Sequence, residues 1–151
     1  SRNGVLMSLH SRRQAREWAV QILFQLDFNP DPIETVLAHF WPDSAPADKG
    51  RAFARELVEG VLAHRGEIDA IIRRQAENWD LDRMGAVERN ALRLGVYEMQ
   101  FRKDIPPVVT INEAVATVKA LSDENAGRFV NGILDRYRKT LKRPARTADP
   151  D

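Results

Sequence analysis

Apolar residues recur at helical spacing along almost the whole chain, and this constrains the fold more than any other feature. Ala15, Trp18, Ala19, Ile22, Leu23 and Leu26 follow the i, i+3, i+4, i+7, i+8, i+11 pattern of one helix face. Ser11 and Gln14 fit a capping box, so a first helix is expected over about 12–28, ending before Asn29-Pro30. Asp31, Pro32 and Glu34 read as N-cap, first helical residue and box partner of a short second helix. Its stripe is Ile33, Val36, Leu37 and Phe40, and Trp41-Pro42 closes it before a variable loop that runs to Asp48. A third helix over about 49–64 turns Phe53, Leu57, Val58, Val61 and Leu62 inward, and Gly66 marks a break. A fourth carries Ile68, Ile71 and Ile72 up to Trp79.

The fifth helix, about 82–102, is apolar on most sides, which marks a central, buried element. Ile105-Pro106-Pro107 ends it. Thr110 and Glu113 form a capping box for a sixth helix, and Ser122–Gly127 reads as a polar loop. The seventh carries Val130, Ile133, Leu134, Tyr137 and Leu141. Asn131-Gly132 is a turn dipeptide inside a helical period, so Gly132 is read as a close helix contact or a local kink. The expected fold is all-α: one domain of about seven helices over 11–143, between flexible tails at 1–10 and 144–151.

Catalytic and cofactor chemistry finds little support. The chain has no Cys, which excludes disulfides, thiolate metal sites and Cys nucleophiles. It has no phosphate-cradling Gly loop, no G-x-S-x-G and no H-E-x-x-H. His10, His39 and His64 are scattered, and the single pair His64/Glu67 is not a metal site. No enzyme activity, cofactor or metal is expected. No apolar run is long enough to span a membrane. Without a signal peptide or cysteines, a cytoplasmic location is expected. Met7 is a candidate natural start, preceded by a remnant or tail at 1–6.

The net charge of +1 conceals a segregation. Residues 1–16 carry Arg2, Arg12, Arg13 and Arg16 and no acid. Residues 128–147 carry seven bases against Asp135 alone, whereas 17–127 hold 12 bases and 19 acids. Basic ends fit a polyanion, and an acidic middle fits a basic partner. Arg12, Arg13 and Arg16 fall in the first turns of the expected helix, where cations oppose the helix dipole by about 0.3–1 kcal/mol each. Such a local conflict points to nucleic-acid binding, helped by helix N–H groups that attract phosphate, or else to pairing with distant acids.

Four blocks carry a family resemblance. They are Arg12-Arg13-Gln14-Ala15-Arg16-Glu17-Trp18-Ala19-Val20-Gln21-Ile22-Leu23-Phe24, Val87 to Met99 followed by Ile105-Pro106, Ile111-Asn112-Glu113-Ala114-Val115, and Phe129-Val130-Asn131-Gly132-Ile133-Leu134-Asp135. In order and spacing they resemble the NusB family of transcription antitermination factors. The resemblance implies two packed helical subdomains and no catalysis. It implies binding of boxA RNA together with ribosomal protein NusE, within an RNA polymerase antitermination complex that acts on ribosomal RNA operons. Carried over, the RNA residues would be Arg12, Arg13, Gln14 and Arg16, then Asn125, Arg128 and Phe129, with His64 and Arg65 at the turn between the third and fourth helices. Gln14 stands where Arg is common, and Asn125 where some relatives carry Asp. Phe129 is either a stacking surface or core. The partner surface would use Phe24, where Tyr is frequent, with Asp82 and Glu88. Relatives include monomers and dimers, so a homodimer that uses the Arg-rich helix is a further expectation. Two other readings remain: a helical protein-interaction module with incidental basic ends, and an RNA-recognition fragment of a ribosomal RNA methyltransferase, for whose catalytic domain 151 residues leave no room.

Overall fold

The computed structural model describes residues 9–42 and 49–148. Among them are seven α-helices: α1 Leu9–Phe28, α2 Ile33–Phe40, α3 Lys49–Ala63, α4 Arg65–Gln75, α5 Ala86–Phe101, α6 Pro107–Leu121 and α7 Glu124–Thr140. A 3-10 turn, Leu81–Arg83, precedes α5, and the described residues hold no strand. The all-α expectation holds. The proposed remnant at 1–6 and most of the loop to Asp48 lie outside the described residues, while Leu9 and His10 belong to α1 rather than to a tail.

Helix starts differ most from the sequence reading. Ser11 lies inside α1, so it is not the cap. Pro32, not Asp31, is the N-cap of α2, without a side-chain cap bond, and Glu34 pairs with Arg55 instead. Proline at 107 starts α6 three residues before Thr110 because its fixed φ and missing N–H suit a first helical position. Thr110 and Glu113 are thereby released for tertiary contacts. Asp123 caps α7, accepting from the Ala126 N–H at 2.8 Å, so 124–127 is a helical turn rather than a loop. The α3–α4 break falls at His64, and Gly66 is the second residue of α4. That helix ends at Gln75, leaving Trp79 beyond it.

The core is one continuous cluster. Helix α5 lies at its centre, with α1, α3, α4, α6 and α7 packed on it. Helices α1, α2 and α3 form one group and α4, α6 and α7 another, joined through α5 and by α1–α6 and α3–α4 contacts. Gly95 lets α7 approach: a Cβ there would come within 2.7 Å of Leu134 Cδ1. Gly132 faces open space, so it is not a close helix contact, and its φ is not positive. After α7 the chain turns back. Arg143 donates to the carbonyls of Met99, Lys103 and Ile105, and the Val108 N–H donates to Ala145 O at 2.8 Å. Ala145, in the expected 144–151 tail, therefore docks on the first turn of α6.

Candidate nucleic-acid interface

The arginines of α1 divide: Arg16 is buried, Arg12 half-buried and Arg13 exposed. Arg16 is only 3% exposed and forms a bidentate pair with Glu98 on α5, at 2.9 and 2.8 Å. Glu98, 1% exposed, also accepts from the Thr110 hydroxyl at 3.0 Å. Burial alone would push the Arg16 pKa down. The hydrogen bonds and charge of Glu98 outweigh burial, and the guanidinium titrates above its ordinary value. The Arg16 guanidinium is thus withdrawn from the surface where the sequence reading put it. Arg13 is exposed and pairs with Glu113 on α6 at 2.7 and 3.2 Å. Because α1 already runs from Leu9, Arg13 and Arg16 lie beyond its first turn, where the dipole effect has faded, and both pair with distant acids.

Arg12 is the exception. Its guanidinium lies over the Phe53 ring at 5.3 Å, and its buried Nε has no hydrogen-bond partner. It lines an open groove of about 370 Å³ with Lys49, Ala52, Phe53, Glu56 and Arg102. Arg16 and Arg102 face the same ring at 5.5 and 5.4 Å. Arg102 is held by Asp104 at 2.9 Å and Glu56 at 2.7 Å, so its charge is largely matched. Gln14 is half-buried beside these residues on α1.

The second group sits on the first turns of α7. Asn125 and Arg128 are exposed and hydrogen-bonded to each other. Phe129 is half-buried against the core and meets Trp79 edge-on, with ring centroids 5.2 Å apart. It is therefore both a core side chain and part of an aromatic surface. Helix α6 links this group to α1: Glu113 holds Arg13, and Lys119 and Val115 pack over Gly127 of α7. At the α3–α4 junction, His64 stacks on Phe101 at 4.0 Å. Arg65 reaches Asp27 at 3.3 Å and Asp69 at 3.8 Å.

Arg65 thereby joins a polar cluster that the sequence did not reveal. Asp27, at the end of α1, accepts from Arg89, Asn90 and Arg93 of α5, while Arg93 also holds Asp69 of α4. Burial pushes the Asp27 carboxyl up, but the hydrogen bonds of Asn90 and Arg89 and nearby Arg charges more than offset this, leaving it below the ordinary carboxylate value. Arg89 also donates to the Met84 carbonyl at 3.2 Å, which ties the turn carrying Asp82 to α1.

The expected partner residues lie around that turn. Asp82 is exposed. Glu88 folds back over Gly85, where any Cβ would collide with its carboxylate at 1.9 Å. Phe24, 38% exposed, stands 5.0 Å from Phe28. It lines a groove of about 620 Å³ with Trp18, Phe40, Pro42, Val87 and Leu121. Val87 lines this groove, while the carboxylate of Glu88, next in sequence, lies over Gly85. The described residues contain no group of three or more His, Asp or Glu able to hold a metal, and no helix among them is long and apolar enough to cross a membrane.

An all-helical bundle with a basic α1 edge, an aromatic and basic α7 edge, and a separate apolar groove defines a helical binding protein. The NusB family model matches residues 13–139, and the chain belongs to the NusB family. The transcription antitermination protein NusB of Myxococcus xanthus is 45% identical over 138 residues, covering 89% of this chain and 99% of that one. T. maritima NusB superposes with a TM-score of 0.77 at 39% identity, over 89% of this chain and 92% of its own. A chain from the crystal structure of antitermination factors NusB and NusE in complex with dsRNA superposes with a TM-score of 0.76 at 34% identity, over 89% and 100%.

Proposed function

We propose that the chain is a transcription antitermination factor that binds boxA-containing RNA together with a NusE-type ribosomal protein in the cytoplasm. The complex would deliver the RNA to an RNA polymerase antitermination assembly on ribosomal RNA operons. The observation that carries this reading is family membership across nearly the whole helical domain, including relatives solved with NusE and RNA. The chain's role is binding rather than catalysis.

Within this reading, Arg12, Arg13 and Gln14 form one RNA edge and Asn125, Arg128 and Phe129 the other, with α6 between them. Arg16 acts from inside, by fixing α1 on α5 through Glu98. His64 and Arg65 extend the RNA path at the α3–α4 junction. Phe24 and its apolar groove, with Glu88 and Asp82, suit a basic protein. A homodimer that covers α1 would compete with RNA, so sedimentation should show it dissociating as RNA is added.

The test is a titration of fluorescent boxA RNA with and without the ribosomal partner. RNA affinity should rise when the partner is present. Glu88→Lys should lose that gain with its helical circular dichroism unchanged. A partner that leaves RNA affinity unaltered, or a Glu88→Lys variant that keeps the full gain, would sink the two-surface reading.

A further inference from the structure

Trp79 has no role in the surfaces assigned above. It lies beyond the end of α4 and is 61% exposed. A large indole left in water is unfavourable for folding alone, yet this one is not loose. The Phe129 ring meets it at 5.2 Å and an interplanar angle of 76°, a T-shaped contact that fixes an aromatic surface. Phe129 is anchored in turn against the core.

The surroundings suit a nucleic-acid strand. Arg136 lies two turns along α7 from Phe129, close to the same face, and donates to the Gln75 carbonyl at the end of α4. Arg128 adjoins Phe129, and Arg73, Arg74 and Arg83 lie in the last turn of α4 and the 3-10 turn. Of the acids nearby, Asp80 accepts from the Asp82 N–H and lies 3.9 Å from Arg83, Asp135 is held by Arg138 and Lys139, and Asp82 is exposed. Glu77 is exposed. Between Phe129 and Arg136 on α7, Gly132 leaves the helix backbone uncovered: a Cβ there would meet nothing within 4 Å. An exposed ring braced from the side and flanked by guanidiniums is how proteins hold unpaired bases, which offer a flat face whatever their sequence.

We infer that Trp79, braced edge-on by Phe129, is the platform on which an unpaired base of the bound RNA stacks, with Arg128 and Arg136 beside its phosphates. The inference rests on the RNA-binding reading above. It adds a residue that the family-based expectations did not contain, and it gives Phe129 a bracing role.

The test is binding of a single-stranded boxA RNA to the full chain, alone and with the ribosomal partner, for wild type, Trp79→Ala, Trp79→Phe and the pair Arg12→Ala/Arg13→Ala. Trp79→Ala should weaken RNA binding about 5- to 150-fold, the loss typical of one base–aromatic stack. Trp79→Phe should retain most of it. A 2-aminopurine placed in the RNA should be quenched by wild type at one position, and less by Trp79→Ala. If Trp79→Ala binds RNA normally while the Arg pair does not, the platform fails and the RNA reading stands. If Trp79→Ala loses the ribosomal partner but not RNA, Trp79 belongs to a protein surface and the platform fails. If wild type binds no boxA RNA in either arm, both fall.

Discussion

Arg16 and Glu98 illustrate how a charge can be structural despite standing in a basic motif. Each is nearly inaccessible, and each is satisfied by two short bonds, with Thr110 completing the carboxylate. Removing one partner leaves an uncompensated buried charge. Glu98→Ala should therefore cost about 3–5 kcal/mol in urea unfolding, while Arg13→Ala, at an exposed pair, should cost no more than about 1 kcal/mol. Equal costs would contradict this division of the arginines. It follows that RNA-binding variants should leave Arg16 intact. Asp27 makes a second prediction at this scale. Its folded pKa lies below the unfolded value, so its contribution is present above the usual carboxylate range and is lost as pH falls through the lowered value. Wild type should thus be more stable than Asp27→Asn at neutral pH, with the gap closing in acid below about pH 4. A gap independent of pH would show that Asp27 acts uncharged.

At the scale of elements, the apolar stripes were legible and the helix starts were not. Seven helices follow from periodicity because burying one face is a local demand, readable at i, i+3 and i+4. At Asp31 the helix starts one residue later, with Pro32 as N-cap, while capping boxes at Ser11 and Thr110 are misleading because a Ser/Thr-x-x-Glu/Gln spacing also arises inside helices. There the same side chains can serve distant partners, as Thr110 and Glu113 serve Glu98 and Arg13. Trp79 could be located but not explained: only the fold brings Phe129, fifty residues on, to its edge. The glycines give a paired prediction. Gly95→Ala drives a Cβ into Leu134 and should destabilise by about 1–3 kcal/mol. Gly132→Ala meets open space in the middle of α7 and should stabilise by roughly 0.5–1 kcal/mol. Thermal unfolding of the two variants reads both; shifts of the same sign would contradict the packing described around α5.

At the scale of the molecule, the near-neutral charge is the sum of separate regions. Four acids of the middle, Asp27, Asp69, Glu98 and Glu113, are turned inward or half-buried and each hold arginines. The sequence shows the imbalance but not these pairings, because the partners lie up to 100 residues apart. What stays outward includes Arg13 on α1, an aromatic and basic edge on α7, Asp82 on the 3-10 turn, and the apolar groove of Phe24.

The most direct measurement of RNA binding by these edges is its salt dependence. Each phosphate neutralised by a side chain releases counterions, at a slope of about −0.7 per contact for single strands. Affinity for boxA RNA should fall steeply between low and moderate salt. Arg12→Ala/Arg13→Ala should bind more weakly, with a slope flatter by about 0.7–1.4 and a stability loss of no more than about 2 kcal/mol. An affinity and slope identical to wild type would contradict RNA binding through α1.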